Sequence, residues 1–231
     1  MTPSTQPQAL GAAGHAPVGR LAPSPTGPLH LGHARTFLLA WWDLRSRGGK
    51  VLLRLEDLDF ARVSPTWRDA VLRELQWLGL DWDGEPLLQS TRQQPIVEVA
   101  MGLQRAGLAY PCTCTRGELQ AISAPHAGEG EARYPGTCRG RYRSIAEAAA
   151  QSGRDAGLRF AVPPGPIGID DRLYGSFEQD VQAAIGDFLI LRRDGTPSYQ
   201  LAVVVDDAAQ GITEVHRGAD LLSSTPRQWL L

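Results

Sequence analysis

Of the 23 basic side chains in this 231-residue sequence, Lys50 is the single lysine and all the others are arginine. An element built on two lysines is thereby excluded. Long apolar runs are also missing: none approaches the roughly 18 residues of a membrane span, and the N-terminus lacks the charged-then-apolar layout of a secretion signal. A cytoplasmic protein without a membrane partner is expected. Cysteine is scarce, and its count of three is odd, with two at Cys112 and Cys114. That excludes the disulfide framework of a small secreted domain and leaves metal binding or free thiols. With a formal net charge of −2, the chain is no uniformly basic nucleic-acid sleeve, although a local arginine surface on a near-neutral protein can still hold RNA. There is no internal repeat.

What remains is a globular composition, 42% hydrophobic and 21% charged, long enough to bury a sizeable core. Residues 1–17 are rich in Pro, Gln, Ala, Gly and Ser and read as a tail. The segment 18–22 reads as a strand. Leu29 to Arg47 has helical composition, with Leu31, Ala34, Leu38 and Trp42 on the face expected to be buried, and Gly48 and Gly49 stop it. "KVLLRLEDLD" reads as a buried strand ending in acids, and "SPTWRDAVLRELQWLGL" as a helix with Ser64 as N-cap and Pro65 in its first position. A further helix is expected near 93–106. The alternation implies an α/β core with a parallel sheet. Tyr110 to Arg143 has turn residues and little periodicity. Beyond it, strands are expected near 158–162, 200–205 and 212–216, with a helix from about Ser224.

The stretch "RLAPSPTGPLHLGHART" places His30 and His33 three residues apart at a helix start, so both imidazoles face the same way. There they join free backbone N–H groups and the positive end of the helix dipole, a setting suited to a polyphosphate. Gly32 between them leaves the backbone open to a nucleotide. The plain alternative is a helix start with two surface histidines.

"APSPTGPLHLGHART" resembles the ATP-binding signature of class I aminoacyl-tRNA synthetases, in the glutamyl and glutaminyl branch. "LRLEDLD", "CTCTRGEL", "SYQLAVVVDD" and "HRGADLLSSTPRQ" agree, and together they span nearly all of the chain after residue 17. Within the branch, "RGADLLSSTPRQ" and the C-T-C … Y-P-G-T-C-R segment are most similar to the glutamyl-Q tRNA(Asp) synthetase family. The resemblance implies a Rossmann-like nucleotide-binding core with an inserted small zinc-bearing lobe: core residues 18–108, a zinc-binding insertion at 109–143, and the remaining insertion and second half of the core at 144–231. It implies a monomeric ligase that activates L-glutamate with ATP and Mg²⁺, without tRNA, and transfers it to queuosine at the wobble position of tRNA(Asp). Glutamate would lie along Arg20, Leu21, Ala22, Pro23 and Ser24, with Arg20 and Arg217 on carboxylates, Glu56 on the ammonium and Tyr199 hydrogen-bonding; those residue types suit two acids and one amine. ATP would meet Pro23, Thr26, His30, Gly32 and His33, the two histidines stabilising phosphate charge. Asp206 and Asp207 would organise the far side without a catalytic part. One structural zinc would be held by Cys112, Cys114, Tyr134 and Cys138. The C-x-C spacing departs from the usual C-x2-C, His126 is the more usual kind of fourth ligand, and three reduced thiols are the plain alternative.

One element of the family pattern is not in the sequence. A K-[ML]-S-K-S loop, whose lysine contacts phosphate in the transition state, belongs after "STPRQ", and Lys50 is nowhere near it. Either a truncated form of a longer protein or a naturally shortened, impaired one is the expectation, with the loss of one phosphate contact costing on the order of a hundredfold or more in rate. A fragment of a glutamyl-tRNA synthetase charging tRNA(Glu), or a catalytically impaired module that binds glutamate or tRNA, are the competing readings.

Overall fold

The computed structural model describes residues 16–115, 117–119 and 133–231. Strand β1 (Val18–Leu21), helix α1 (Leu31–Ser46), strand β2 (Lys50–Leu55), helix α2 (Pro65–Trp77) and the short strand β3 (Leu87–Leu88) form the first layer. The sheet order is β1-β2-β3, all parallel, with Val18 opposite Lys50 and Arg54 opposite Leu87. The parallel core expected from the alternation is therefore present, and β3 is an addition to it. Helix α2 begins as read: the Ser64 side chain accepts the Trp67 N–H and Pro65 opens the first turn.

Helix α1 turns a different face inward. Phe37, Ala40 and Leu44 are buried against the sheet, whereas Leu31 and Trp42 are mostly exposed. The expected face of Leu31, Ala34, Leu38 and Trp42 is thus corrected. Apolar residues surround this helix, so its periodicity cannot choose a face; β1 does, because Gly19 leaves room for Leu44, whose Cδ1 lies 2.4 Å from where a Cβ would stand.

Helix α3 (Gln93–Arg105) leads to a second, antiparallel sheet of β4 (Ala109–Cys112), β5 (Gly157–Phe160) and β8 (Leu189–Leu191), in the order β4-β5-β8. Helix α4 (Ile145–Ser152) sits between β4 and β5 in sequence, and the hairpin β6 (Pro166–Asp171) and β7 (Gly175–Asp180), followed by the short helix α5 (Val181–Ala184), precedes β8. One apolar cluster joins α3, β5 and β8 through Ile96, Ala100, Leu158, Phe160 and Ile190; another packs Leu21, Leu44, Val51, Leu53 and Val71 around the parallel sheet.

The segment expected to be a strand at 200–205 is instead helix α6 (Tyr199–Gln210). Ser198 caps its start and Gly211, in the left-handed region at φ 65°, ends it. The run Val203, Val204, Val205 disfavours a helix by up to about 0.7 kcal/mol per residue. Burying Leu201 and Val203 gives about 1.5–3 kcal/mol per side chain, so packing decides. Residues 212–216 form no strand either: the segment is held where the Thr213 and Glu214 N–H groups both reach the Val18 carbonyl. After a 3₁₀ turn (Ala219–Ser224), helix α7 (Thr225–Trp229) appears where a helix was expected. Among the described residues, no helix is long and apolar enough to cross a membrane.

Candidate active site and metal centre

Four side chains scattered through the sequence meet above the C-terminal ends of β1 and β2. Arg20 leaves β1 buried, its Nε donating to Asp207 Oδ1 at 3.1 Å and its Nη1 to the His216 carbonyl at 3.3 Å. Glu56 follows β2, its N–H fixed on the Pro23 carbonyl at 3.0 Å. Tyr199 opens α6, and Arg217 follows the 212–216 segment. Arg20, Glu56, Tyr199 and Arg217 feel one another's charge: burial, then the Glu56 carboxylate, raises the Tyr199 phenol, while Arg217 and Arg20 oppose. Burial pushes the Glu56 carboxyl above the ordinary range, with Arg54 and Arg20 pulling it back.

The two arginines differ. Arg20 is already ion-paired with Asp207, whereas Arg217 hydrogen-bonds to Gln228 Oε1 and Thr225 Oγ1, both at 2.5 Å, and to the Tyr199 side chain. Burial, together with the like charge of Arg20, pulls its pKa down. A half-buried guanidinium held by neutral groups has the charge and the donors to pair with a carboxylate. In the Arg20 to Ser24 loop, the Leu21 side chain points into the core, so this residue offers the pocket its backbone. Ala22 is half-buried, Pro23 buried and Ser24 exposed, with the Ser24 carbonyl accepting the N–H of the exposed Thr26 at 2.8 Å.

His30 is the N-cap of α1. Its Nδ1 accepts the Gly32 N–H at 3.1 Å, His33 Nδ1 accepts the His30 N–H at 3.3 Å, and the rings stack with centroids 3.8 Å apart. With both Nδ1 atoms accepting, the neutral tautomer of each ring carries its proton on Nε2. Burial and the neighbouring His30 hold His33 below the ordinary histidine value, with Asp220 opposing. The pair is thus two neutral, preorganised N–H donors at a helix N-terminus. Gly32 has a second reason to be glycine: a Cβ there would stand 2.9 Å from His30 Cε1 and push the ring away.

The cysteine segment closes into one cluster. The Tyr134 hydroxyl lies 3.4 Å from Cys112 Sγ and 3.7 Å from Cys114 Sγ, and Cys114 Sγ lies 3.5 Å from Cys138 Sγ. Zinc bonds of about 2.3 Å to sulfur and 2.0 Å to oxygen give tetrahedral edges of about 3.8 Å for S···S and about 3.5 Å for S···O. The donor set fits that ion. Burial and the adjacent Cys112 push the Cys114 thiol up to about 12; a divalent ion held by the thiolates would reverse this. Arg159, buried in β5, donates from Nε to Cys112 Sγ at 3.3 Å and lies 3.7 Å over the Tyr134 ring. His126 falls outside the described residues. A second potential metal-binding group, Asp43, Glu214 and His216, is occupied by Arg47 and Arg172, which pair with its acids.

Residues 18–231 match the family described as tRNA synthetases class I (E and Q), catalytic domain. The chain belongs to that family. Among the class I (E and Q) synthetases it is 47% identical over 222 residues to a glutamyl-Q tRNA(Asp) synthetase of Nitratidesulfovibrio vulgaris, covering 92% of this chain and 68% of the relative. It is 48% identical over 224 residues to the one of Symbiobacterium thermophilum, covering 92% and 69%. In fold it is similar to a glutamate tRNA ligase from Elizabethkingia meningosepticum solved in complex with its amino acid, with TM-score 0.80 and 30% identity, covering 94% of this chain and 46% of that one. The E and Q family pattern led to Arg20, Glu56, Tyr199 and Arg217, but sequence reasoning missed Arg54, Arg159, Thr225 and Gln228. For Arg54 a signal existed: a charged residue inside the apolar run "KVLLRL".

Proposed function

We propose that this chain is a glutamyl-Q tRNA(Asp) synthetase, which activates L-glutamate with ATP and transfers it to queuosine in the anticodon of tRNA(Asp). The observation that carries this reading is the 47–48% identity to proteins of that name over 92% of the chain, joined to a pocket with two arginines, an acid and a tyrosine. Arg217 receives one carboxylate of glutamate, Arg20 supports the other while anchored by Asp207, and Glu56 takes the ammonium. The α-carboxylate attacks the α-phosphorus of ATP, forming the mixed anhydride and releasing pyrophosphate. His30 and His33 donate Nε2–H bonds to phosphate oxygens as negative charge grows there, a stabilisation worth about 10²–10³ in rate per donor. Mg²⁺ bound with ATP supplies countercharge to the triphosphate. A hydroxyl of the queuosine cyclopentene ring then attacks the acyl carbonyl, giving an ester and AMP. Cys112, Cys114, Cys138 and Tyr134 would hold a structural zinc, which would cross-link this segment at a distance from the chemistry. The setting for these substrates is the cytoplasm.

Glutamate-dependent ATP–pyrophosphate exchange without tRNA tests the reading. Exchange is expected with the chain alone; exchange that appears only when tRNA(Glu) is added would favour a glutamyl-tRNA synthetase instead.

A further inference from the structure

Arg159 is a buried cation of β5, 6% exposed, that the adenylation chemistry does not use. Antiparallel pairing sets it opposite Tyr110, and sets Cys112 opposite Gly157. Tyr110, Cys112 and Arg159 therefore share one face of the sheet, and Gly157, with no side chain, leaves the path from Arg159 to Cys112 open. Arg159 Nε donates to Cys112 Sγ at 3.3 Å, its Nη1 donates to the Asp187 carbonyl at 2.7 Å, and its guanidinium carbon lies 3.7 Å from the centre of the Tyr134 ring. One side chain thus touches two of the four groups that would hold zinc.

Charge alone does not set Arg159 apart. Asp187 brings a carboxylate to the same region, where it accepts from the Tyr110 hydroxyl and, at 2.9 Å, from the Val162 N–H, with Arg139 3.7 Å away. Arg154 is within charge reach of Cys114 but pairs with Glu118. What sets Arg159 apart is direction. The Asp187 carbonyl fixes the plane of the guanidinium, which is a rigid fork, so the Nε–H is aimed at sulfur in advance. Tyr134 is fixed as well, its hydroxyl accepting the Cys138 N–H at 2.9 Å and its ring covered by the guanidinium face. A hydrogen bond to a thiolate is charge-assisted and strong for its kind, and outer contacts that orient ligands in this way are worth about 10–100-fold in metal affinity.

We propose that Arg159 is a positioning residue for the metal centre: its Nε–H holds the Cys112 sulfur and its guanidinium face holds the Tyr134 ring, so that both stand at ligand positions and zinc is bound more tightly. This rests on the reading of the cluster as a zinc site.

The test is competition for zinc between a chromophoric chelator and the full zinc-loaded chain, as parent, Arg159→Met and Arg159→Gln, with the near-ultraviolet thiolate-to-metal bands of the cobalt-loaded forms measured beside it. Methionine keeps the length and removes the donor, whereas the glutamine Nε2 sits the same number of bonds from the backbone as the arginine Nε and can restore the bond to sulfur. Zinc affinity should fall about 10–100-fold in Arg159→Met and lie between the two in Arg159→Gln. A donated N–H lowers the energy of the sulfur lone pairs, so the cobalt bands should move to lower energy in Arg159→Met and back in Arg159→Gln; a residue that merely packs would not move them. A folded Arg159→Met protein with unshifted bands, or with an affinity within about threefold of the parent, would overturn the inference. So would an Arg159→Gln protein that binds zinc no better than Arg159→Met. If Arg159→Met does not fold, the parent loaded with an NMR-active cadmium isotope carries the test: an arginine Nε–H proton coupled to the metal through sulfur supports the proposal, and no such coupling overturns it. A parent chain that holds no metal would overturn the zinc reading itself, whereas metal held equally well by all three proteins overturns the role of Arg159 alone.

Discussion

His33 Nδ1 accepts the backbone N–H of His30, and the rings of the two residues stack at 3.8 Å. The ring of one histidine is thereby oriented by the backbone of the other, with no outside partner needed. His33→Ala removes both this orienting bond and an Nε2–H donor. Exchange activity should fall by about 10²–10³, while the lost capping contact costs about 0.5–2 kcal/mol of stability. Exchange rates and a thermal melt of the same preparation check this; loss of stability with unchanged exchange would mean that the pair is a cap and nothing more.

Gly32→Ala separates those two effects. The added Cβ displaces the His30 ring, so activity should drop at least tenfold. Alanine improves helix propensity by up to about 1 kcal/mol, which offsets much of the lost cap, so the melting temperature should move little. A large fall in melting temperature with normal activity would contradict it.

Glu56 predicts a pH dependence of definite sign. Burial raises its carboxyl in the folded protein, so the folded state retains a proton that the unfolded chain releases near pH 4.3. The folded state then binds more protons, and stability due to this group is lost as pH rises from the unfolded value through the folded one. Glu56→Gln abolishes that loss. The melting temperature of the variant relative to the parent should rise between pH 4 and pH 7, and glutamate binding should weaken tenfold or more because the ammonium loses its partner. A difference in melting temperature that is flat with pH would contradict the burial argument.

The metal cluster makes a stoichiometric prediction. Purified protein should contain one zinc per chain, lost in Cys138→Ser and weakened in Tyr134→Phe. Chelation should lower the melting temperature by several degrees. Gly186→Ala should mimic part of this, because Gly186 sits at φ 75° with the Tyr134 carbonyl 2.3 Å from where a Cβ would stand. Metal analysis and melts before and after chelation check each variant; zinc content unaffected by Cys138→Ser would show that the thiols are simply reduced.

How much of this was legible in the sequence depends on the range of the interaction. Local signals read well: Ser64 with Pro65 opens α2, Gly48 ends α1, and the three-residue spacing of His30 and His33 places both at one helix turn. Where two structures competed for the same local pattern, packing chose. The Val203 to Val205 run looks like a strand, but its neighbours bury a helix face; α1 is apolar on several sides, and β1 selects one. Arg20, Glu56, Tyr199 and Arg217 came from the family pattern, since nothing local links positions so far apart. Arg54 stayed hidden because a buried, twice-paired arginine and a solvated one are the same letter, and what distinguishes them, Asp207 and Gln210, lies over 150 residues away.

The most direct measurement of the central claim is transfer of labelled glutamate to tRNA(Asp) prepared with and without queuosine, with tRNA(Glu) alongside. The account predicts label on queuosine-containing tRNA(Asp), none on tRNA(Asp) lacking it, and none on tRNA(Glu). Label on the acceptor end of tRNA(Glu), with tRNA(Asp) untouched, would contradict it.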